Sequence, residues 1–256
     1  MDDFKAWLDL PDQEPGGEPD PSHVEYFLES EKKLGDGGIA MIEASDPLCH
    51  VAPLFDMGTY TIMGMTEPEL FQKALEKVMP KIFYRTEAVA RALPGRLWRI
   101  CGAEYATPPF LRPQHFKNYV VRYETPMVES IQKQGGFARI HCHGRLKDIL
   151  DLIVSTGCSG LDPIEPPPQG NVELSYVRRK YGRQIVLFGN IEITDIENLP
   201  TVEFEQKVAK ALREGTEGDG RGFVLQAGAA PYGRMVSELT LRNYEKMVEM
   251  AEKFGR

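Results

Sequence analysis

The sequence predicts an α/β fold of the (β/α)8 TIM-barrel type, incomplete, with about six parallel strands. Short apolar runs recur along the chain, and each is followed by a segment with helical periodicity. The runs are nearly continuous in Val, Ile, Leu and Phe, which is typical of parallel strands covered by helices. A closed barrel of this type needs eight strands. The expected strands are 39–43, 97–102, 137–143, 160–165, 185–191 and 222–227, and the expected helices after them are 66–92, 113–134, 145–156, 171–181, 201–214 and 240–254.

The predicted organisation is an amino-terminal arm and helix, residues 1–34, followed by one partial barrel domain, residues 35–256. Residues 12–21 are polar and rich in Pro and Gly, so they cannot bury a core and should form a loop or mobile arm. The barrel domain is expected to begin after the first helix ends.

Two capping boxes predict where helices begin. Ser22 with Glu25 should open a helix that runs to about Leu34, and Thr66 with Glu69 should open a longer one. Both patterns are amphipathic, so both helices are expected at the surface.

Composition narrows the class of protein. With 42% hydrophobic residues in 256, the chain is too apolar to be disordered. A net charge of −8 argues against a nucleic acid or an anionic membrane as partner, because the field would repel phosphates. No apolar segment approaches the roughly 20 residues needed to cross a bilayer. Four cysteines without a C-x-x-C pair, and a start unlike a signal peptide, predict a reduced, cytoplasmic protein.

A histidine pair stands at the end of one predicted strand. His141 and His143 are two residues apart, so on a strand they project from the same face. Two neighbouring imidazoles suggest a metal ion, although such a pair can also simply hydrogen-bond to backbone or carboxylate groups. The carboxyl end of a strand is where α/β folds place their chemistry.

Other strand ends add polar groups that should converge at the same rim. Glu104 follows the second strand, Glu165 closes the fourth and Asn190 lies near the end of the fifth. Glu104, the histidine pair and Glu165 could then surround one ion with nitrogen and oxygen ligands. Taken alone, Glu165 could equally be a turn residue and Asn190 a helix cap.

Several motifs in this order resemble the uroporphyrinogen decarboxylase superfamily, over roughly residues 35–256. They are Ile-His-Cys-His-Gly at 140–144, Asp-Pro-Ile-Glu-Pro-Pro at 162–167, Gly-Asn-Ile at 189–191, Gly-Phe-Val-Leu at 222–225 and Asn243 before the last helix. That superfamily is built on a (β/α)8 barrel. It contains decarboxylases of the tetrapyrrole uroporphyrinogen and zinc-dependent methyltransferases that serve corrinoid carriers.

The resemblance and the strand-end positions together assign roles to individual residues. Glu104 and Glu165 are the expected catalytic carboxylates. A divalent metal, zinc before others, would be held by His141, His143 and Glu165, with Glu104 as the alternative carboxylate. The expected partner is a small molecule or a corrinoid protein. The candidate substrate-binding residues are Asn190, Arg145 and Arg112, with Arg234 as a further basic candidate.

The chain departs from the family pattern in two places. Gly228-Ala229-Ala230 stands where the decarboxylases carry Gly-His-Gly and where the methyltransferases carry a late cysteine. The amino-terminal strands and an arginine-bearing segment of the family have no counterpart. We favour a truncated product as the interpretation; an arm that replaces the missing strands, or a homo-oligomer that covers the sheet edges, are the alternatives. Standard uroporphyrinogen decarboxylation is therefore not expected, and a degenerate barrel that binds a ligand or partner without turnover is the alternative function.

Overall fold

The computed structural model describes residues 2–12, 14, 16–233 and 235–254. The chain divides into two compact units. The first unit comprises Met1–His141 and Asp148–Cys158, and the second comprises Cys142–Lys147 and Ser159–Arg256. Each unit contains three parallel strands. The predicted alternation of six parallel strands with helices is confirmed, whereas the boundary between an arm and one barrel domain at residue 34 stays a prediction.

The first unit holds three strands and eight α-helices within the described residues. Its strands are β1 (Met41–Ser45), β2 (Leu97–Cys101) and β3 (Phe137–His141). Its helices are α1 (Asp2–Asp9), α2 (Pro21–Leu34), α3 (Pro47–Val51), α4 (Met57–Thr66), α5 (Pro68–Ala92), α6 (Pro113–Phe116), α7 (Arg122–Lys133) and α8 (Leu150–Ser155). A π-helical segment, Lys117–Val121, joins α6 to α7.

The sheet of the first unit has an apolar face and a polar face. Its strands pair in the order β1, β2, β3, with Glu43 beside Arg99 and Arg99 beside Arg139. Alternate residues, such as Ile100 and Ile140, are fully buried on the side that the helices cover. The other face presents the polar side chains Glu43, Arg99, Cys101, Arg139 and His141.

The second unit holds three strands and four α-helices within the described residues. The strands are β4 (Gly160–Asp162), β5 (Val186–Ile191) and β6 (Phe223–Ala227), paired in that order. The helices are α9 (Leu174–Tyr181), α10 (Ile193–Asn198), α11 (Thr201–Thr216) and α12 (Glu238–Phe254). Helix α11 packs on β5 and β6 and buries Phe204, Val208 and Leu212.

One guanidinium group fixes the loop that leads into β6. Arg178 on α9 is buried and donates hydrogen bonds to the carbonyl oxygens of Glu217 at 3.0 Å and Gly218 at 3.2 Å. It donates a third, at 3.5 Å, to the carbonyl oxygen of Gly222, the residue before β6. The Gly222 carbonyl oxygen also accepts from the Leu187 backbone N–H of β5 at 3.2 Å, so Arg178 ties the loop to the strand pair that follows it.

Several strands and helices begin or end at residues other than those predicted. The first strand is 41–45 instead of 39–43, and Ile39 is exposed before it. The predicted helix 66–92 is two helices, since Pro68 begins α5 and the Thr66 hydroxyl donates to Ile62 in α4 instead of capping.

The first capping box was also wrong. Asp20 caps α2 by accepting from the backbone N–H of Ser22 at 2.9 Å, and Pro21 occupies the first helical turn. Helix α1 was not expected, and it is held by Phe4, which is buried and contacts Phe55. None of the helices in the described ranges combines the length and apolar character needed to span a membrane.

Candidate active site

A buried aspartate stands at the carboxyl end of β1. Asp46 accepts a hydrogen bond at Oδ1 from the backbone N–H of Cys49 at 3.0 Å and so caps α3. Its own backbone N–H donates to the carbonyl oxygen of Cys101 at 2.8 Å, which ties it to the end of β2. Its Oδ2 atom is buried and has no hydrogen-bond partner within the described residues. Burial, and then the negative charge of Glu104, raise the pKa of Asp46 well above its usual range. The raised pKa favours the protonated form of Asp46, which is the form that can donate a proton.

Glu104 lies beside Asp46, in the turn Ala103–Ala106 that follows β2. Its side chain is half-buried, and its Oε2 accepts from the backbone N–H of Gly102 at 3.3 Å. The turn is braced by the Tyr60 hydroxyl, which donates to the carbonyl oxygen of Tyr105 at 3.0 Å. Glu104 thus follows the end of β2, and its catalytic role stays a prediction.

A third carboxyl group, Glu124 on α7, is fully buried. Burial, followed by the charges of Asp46 and Glu104, raises the pKa of Glu124 well above its usual range. Asp46, Glu104 and Glu124 are called the carboxyl cluster below. Cys49 belongs to the same surroundings, where burial raises the pKa of its thiol to about 12, so it is not a nucleophile at neutral pH.

Cationic side chains occupy the polar face of the same sheet. The Arg99 guanidinium places Nη1 3.3 Å from Oε2 of Glu43 and Nη2 2.9 Å from Nε2 of His141. Since arginine can only donate, His141 accepts at Nε2. Arg99 and Arg139 are direct neighbours in the register, an arrangement of like charges that costs stability unless anions balance it. Glu43 supplies an anion beside Arg99.

The second unit contains a separate histidine–carboxylate pair. His143 Nδ1 lies 2.8 Å from Oε1 of Glu165, and the Gly144 backbone N–H donates to Oε2 of the same carboxylate at 3.0 Å. Nearby, Glu192 is buried, and its Oε1 has no hydrogen-bond partner within the described part of the chain. Burial, then Glu165 and Asp195, raise the pKa of Glu192 to about 7, against the opposing effects of His143 and Lys207. His143 and Glu165, two of the predicted ligands, are therefore in direct contact, while their predicted role at an ion stays a prediction.

The predicted substrate-binding residues occupy different places. Asn190 lies near the end of β5, beside Gln226 of β6 in the strand register. Gln226 donates to Oδ2 of Asp162 at 3.4 Å, so a polar row crosses that sheet. Arg145 and Arg112 are both exposed, and Arg112 precedes α6. Arg234 lies outside the described residues.

The predicted zinc ligands are engaged in other hydrogen bonds in the structure. The lone pair of His141 Nε2 faces the Arg99 guanidinium, and both Glu165 oxygens accept hydrogen bonds from His143 and Gly144. Among the described residues, no three His, Cys, Asp or Glu side chains are grouped to hold an ion. No reaction step below passes through a metal, and metal binding stays a prediction.

Sequence reasoning missed Asp46, Arg99, Arg139 and Glu124. The first strand was expected to end at residue 43, which left Asp46 outside the predicted rim. Arg99 and Arg139 alternate with buried apolar residues, and that alternation was the available signal for a polar sheet face. Glu124 lies within a helical pattern and gave no signal that distinguishes it from a surface glutamate.

The comparisons with known proteins agree with this architecture. The family model described as uroporphyrinogen decarboxylase (URO-D) matches residues 54–254, most of the chain. The match includes Arg99, Glu104, Glu124 and His141 and begins after Asp46. No curated protein matches the chain. The predicted fold class is confirmed, because six parallel strands alternating with helices are those of a partial (β/α)8 barrel. The chain belongs to the uroporphyrinogen decarboxylase family.

Proposed function

We propose that the protein is a lyase that removes a carboxylate, as carbon dioxide, from an electron-rich ring compound of the tetrapyrrole type. The observation that carries the proposal is the buried, partly unpartnered Asp46 next to Glu104 at the ends of two neighbouring strands. Decarboxylation of such a ring needs a proton donor and an anion that stabilises the resulting ring cation. The carboxyl cluster offers both.

The reaction follows from the protonation state of Asp46. Its proton adds to a ring carbon, and the Asp46 carboxylate remains beside the cationic ring. The carbon–carbon bond to the leaving carboxylate then breaks, carbon dioxide departs and the bonding electrons neutralise the ring. A proton from solvent adds to the carbon that lost its carboxylate while the ring proton returns to Asp46. One solvent proton is consumed for each carbon dioxide released.

Arg99 and Arg139 support an anionic substrate. Both lie on the polar face of the sheet whose carboxyl ends bear the carboxyl cluster. A guanidinium binds a carboxylate in two-point fashion and so orients it. His141 accepts a hydrogen bond from Arg99 and so fixes the orientation of the Arg99 guanidinium.

The experiment compares Asp46→Asn with Asp56→Asn under anaerobic conditions, with uroporphyrinogen as the probe substrate. Asp56 is a matched control because it also caps a helix, accepting from the Thr59 backbone N–H at 3.0 Å, but it is exposed. The sequence alone argued against standard uroporphyrinogen decarboxylation, but the buried Asp46, which it did not identify, offers a proton donor. We therefore expect carbon dioxide release by the wild type and by Asp56→Asn, and a loss of about 100-fold or more in Asp46→Asn. Chromatography of the products identifies how many carboxylates are lost.

Two results would overturn the proposal. Equal release by Asp46→Asn and the wild type would remove Asp46 from the reaction. Tight porphyrinogen binding without carbon dioxide would favour a barrel that binds its ligand without turnover. A methyl-transfer assay with methylcobalamin and a thiol acceptor, run in parallel, decides whether the methyltransferase chemistry of the superfamily applies instead.

A further inference from the structure

Two loops of the second unit are joined along their length. They are residues 142–147 and 162–171, called the paired loops below, and both belong to that unit. Their contacts are Cys142 N–H to the Asp162 carbonyl oxygen at 2.8 Å, His143 Nδ1 to Glu165 Oε1 at 2.8 Å, Gly144 N–H to Glu165 Oε2 at 3.0 Å, and Lys147 N–H to Asn171 Oδ1 at 3.0 Å. The imidazole of His143 is therefore held within a continuous set of contacts.

The backbone that leads into Glu165 is strained. Ile164 has a φ of 54°, a left-handed conformation that is an outlier for a β-branched residue, and its side chain is fully buried. Such a conformation is costly and persists only where the surrounding contacts hold it, and it is concentrated at catalytic and ligand-binding sites. The fold therefore places the Glu165 carboxylate against local backbone preference.

Glu165 decides which ring nitrogen of His143 carries the proton. A carboxylate only accepts hydrogen bonds, so Nδ1 of His143 donates to it. The Gly144 backbone N–H donates to the other oxygen of the same carboxylate. In the neutral imidazole of His143 the lone pair is consequently on Nε2.

This arrangement is the usual form of a histidine that binds a metal through Nε2. The carboxylate behind the ring fixes its orientation and raises its basicity. The His143 side chain is 33% exposed and that of Glu165 only 13%, so a ligand that arrives from solvent meets the imidazole first. A single imidazole is too few ligands for a bare zinc ion, which takes four. It is sufficient as the axial ligand of a metal that a macrocycle already holds.

The paired loops also carry side chains that suit such a macrocycle. Arg145 and Lys147 follow His143 closely and are exposed, so they can pair with carboxylate groups at the edge of a ring. Pro167 and Pro168 follow Glu165 and are exposed as well, and they offer apolar surface to the ring face. A planar, largely apolar ring with a metal at its centre matches this combination.

We infer that His143 is an axial ligand for the metal of a tetrapyrrole-type macrocycle, a haem or a corrinoid, and that Glu165 orients its imidazole. One coordination bond forms between the Nε2 lone pair and the metal, and the water molecule that occupied that axial position leaves. No electron or proton is transferred. The site lies within the second unit and is independent of the decarboxylation proposed for the carboxyl cluster.

Absorption titrations of the whole chain with haemin and, separately, with aquocobalamin test the site. We expect the visible bands of at least one probe to shift and to saturate near one equivalent. The shift should be lost in His143→Asn, which keeps an amide N–H for Glu165 but has no Nε2. It should remain in His115→Asn, the matched control. His115 is also half-buried, but its Nδ1 accepts from the Arg112 backbone N–H at 3.3 Å, so its Nε2 carries the proton.

The two probes separate the two kinds of macrocycle. A response to haemin alone identifies a porphyrin, and a response to aquocobalamin alone identifies a corrinoid; either supports axial ligation by His143. Glu165→Gln should weaken binding of the responding probe by about tenfold or more, because the ring loses the carboxylate that orients it. Arg145→Gln should weaken haemin by about threefold and leave aquocobalamin unchanged, since only haemin has ionised carboxylates.

Two results would overturn the inference: no response to either probe, or an equal response in His143→Asn and the wild type. If His143→Asn fails to fold, the wild type labelled with nitrogen-15 histidine decides. The iron–imidazole stretching band of the ferrous haem complex, by resonance Raman spectroscopy, should shift with the label. For the corrinoid, the nitrogen splitting in the electron paramagnetic resonance spectrum of the reduced cobalt complex should change. A spectrum that does not respond to the label excludes histidine as the ligand.

Discussion

A β-carbon at position 102 would lie 1.7 Å from Oδ1 of Asp46. Gly102 has a φ of 133°, a backbone conformation that side chains other than glycine rarely adopt. The end of β2 therefore passes Asp46 at a distance that only glycine permits. This close approach lets the Gly102 backbone N–H reach Glu104 while the Asp46 backbone N–H reaches Cys101.

We expect Gly102→Ala to displace Asp46 and to lower both activity and stability. The clash cannot be relieved at a flexible side-chain end, because Oδ1 is fixed by the cap of α3. Strain at positive φ alone costs about 1–3 kcal/mol, and the clash adds to it. Gly95→Ala is the matched control, since its φ is 77° and no atom lies within 4 Å of the added carbon. Equal urea midpoints for the two variants would contradict the proposed contact.

Glu192 should make stability depend on pH. Its pKa is about 7 in the folded chain against an ordinary value of 4.5, so the folded state binds the extra proton. The resulting stabilisation is fully present below pH 4.5 and is lost as the pH rises through 7. Urea unfolding from pH 4 to 8 should therefore show a decline that is smaller in Glu192→Gln. A decline of the same size in both proteins would contradict the assignment.

Arg99 should contribute to binding of an anionic substrate. Replacement by glutamine removes the charge and the two-point donor, so KM for a carboxylated ring should rise about tenfold or more while the fold is kept. Arg99→Lys should not restore the wild-type value, because an ammonium group cannot make the paired contacts to Glu43 and His141. An unchanged KM in Arg99→Gln would show that the polar face does not bind substrate.

Metal binding can be tested directly. Since His141 Nε2 accepts from Arg99, we expect the purified protein to hold less than one equivalent of zinc after dialysis. Chelator should leave its thermal midpoint unchanged. The control is the double variant His141→Ala/His143→Ala. A stoichiometric ion in the wild type that this variant lacks would support the metal site suggested by the histidine pair.

The sequence predicted the strands better than the site. Apolar residues such as Ile100 and Ile140 predict buried strands, because the face that the helices cover selects apolar side chains at alternate positions. The first strand, which follows a Gly-rich turn, ends two residues later than predicted. Because of that difference, Asp46 was not recognised as a strand-end residue. His143 and Glu165 were found because each stands at a recognisable strand end. Glu124 was not identified, because a helical pattern does not distinguish a buried glutamate from a surface one.

Arg178 gives the second unit a long-range dependence. The guanidinium holds three carbonyls of the turn before β6, and β6 carries Gln226, whose amide bonds to Asp162. A substitution at Arg178 would remove the hydrogen bonds that hold that turn and would allow β6 to shift. Arg178 itself is not part of the polar row that contains Gln226 and Asp162. Random mutagenesis that selects for loss of activity should therefore yield substitutions at position 178. Such variants should show the same defect as variants of Asp162 or Gln226.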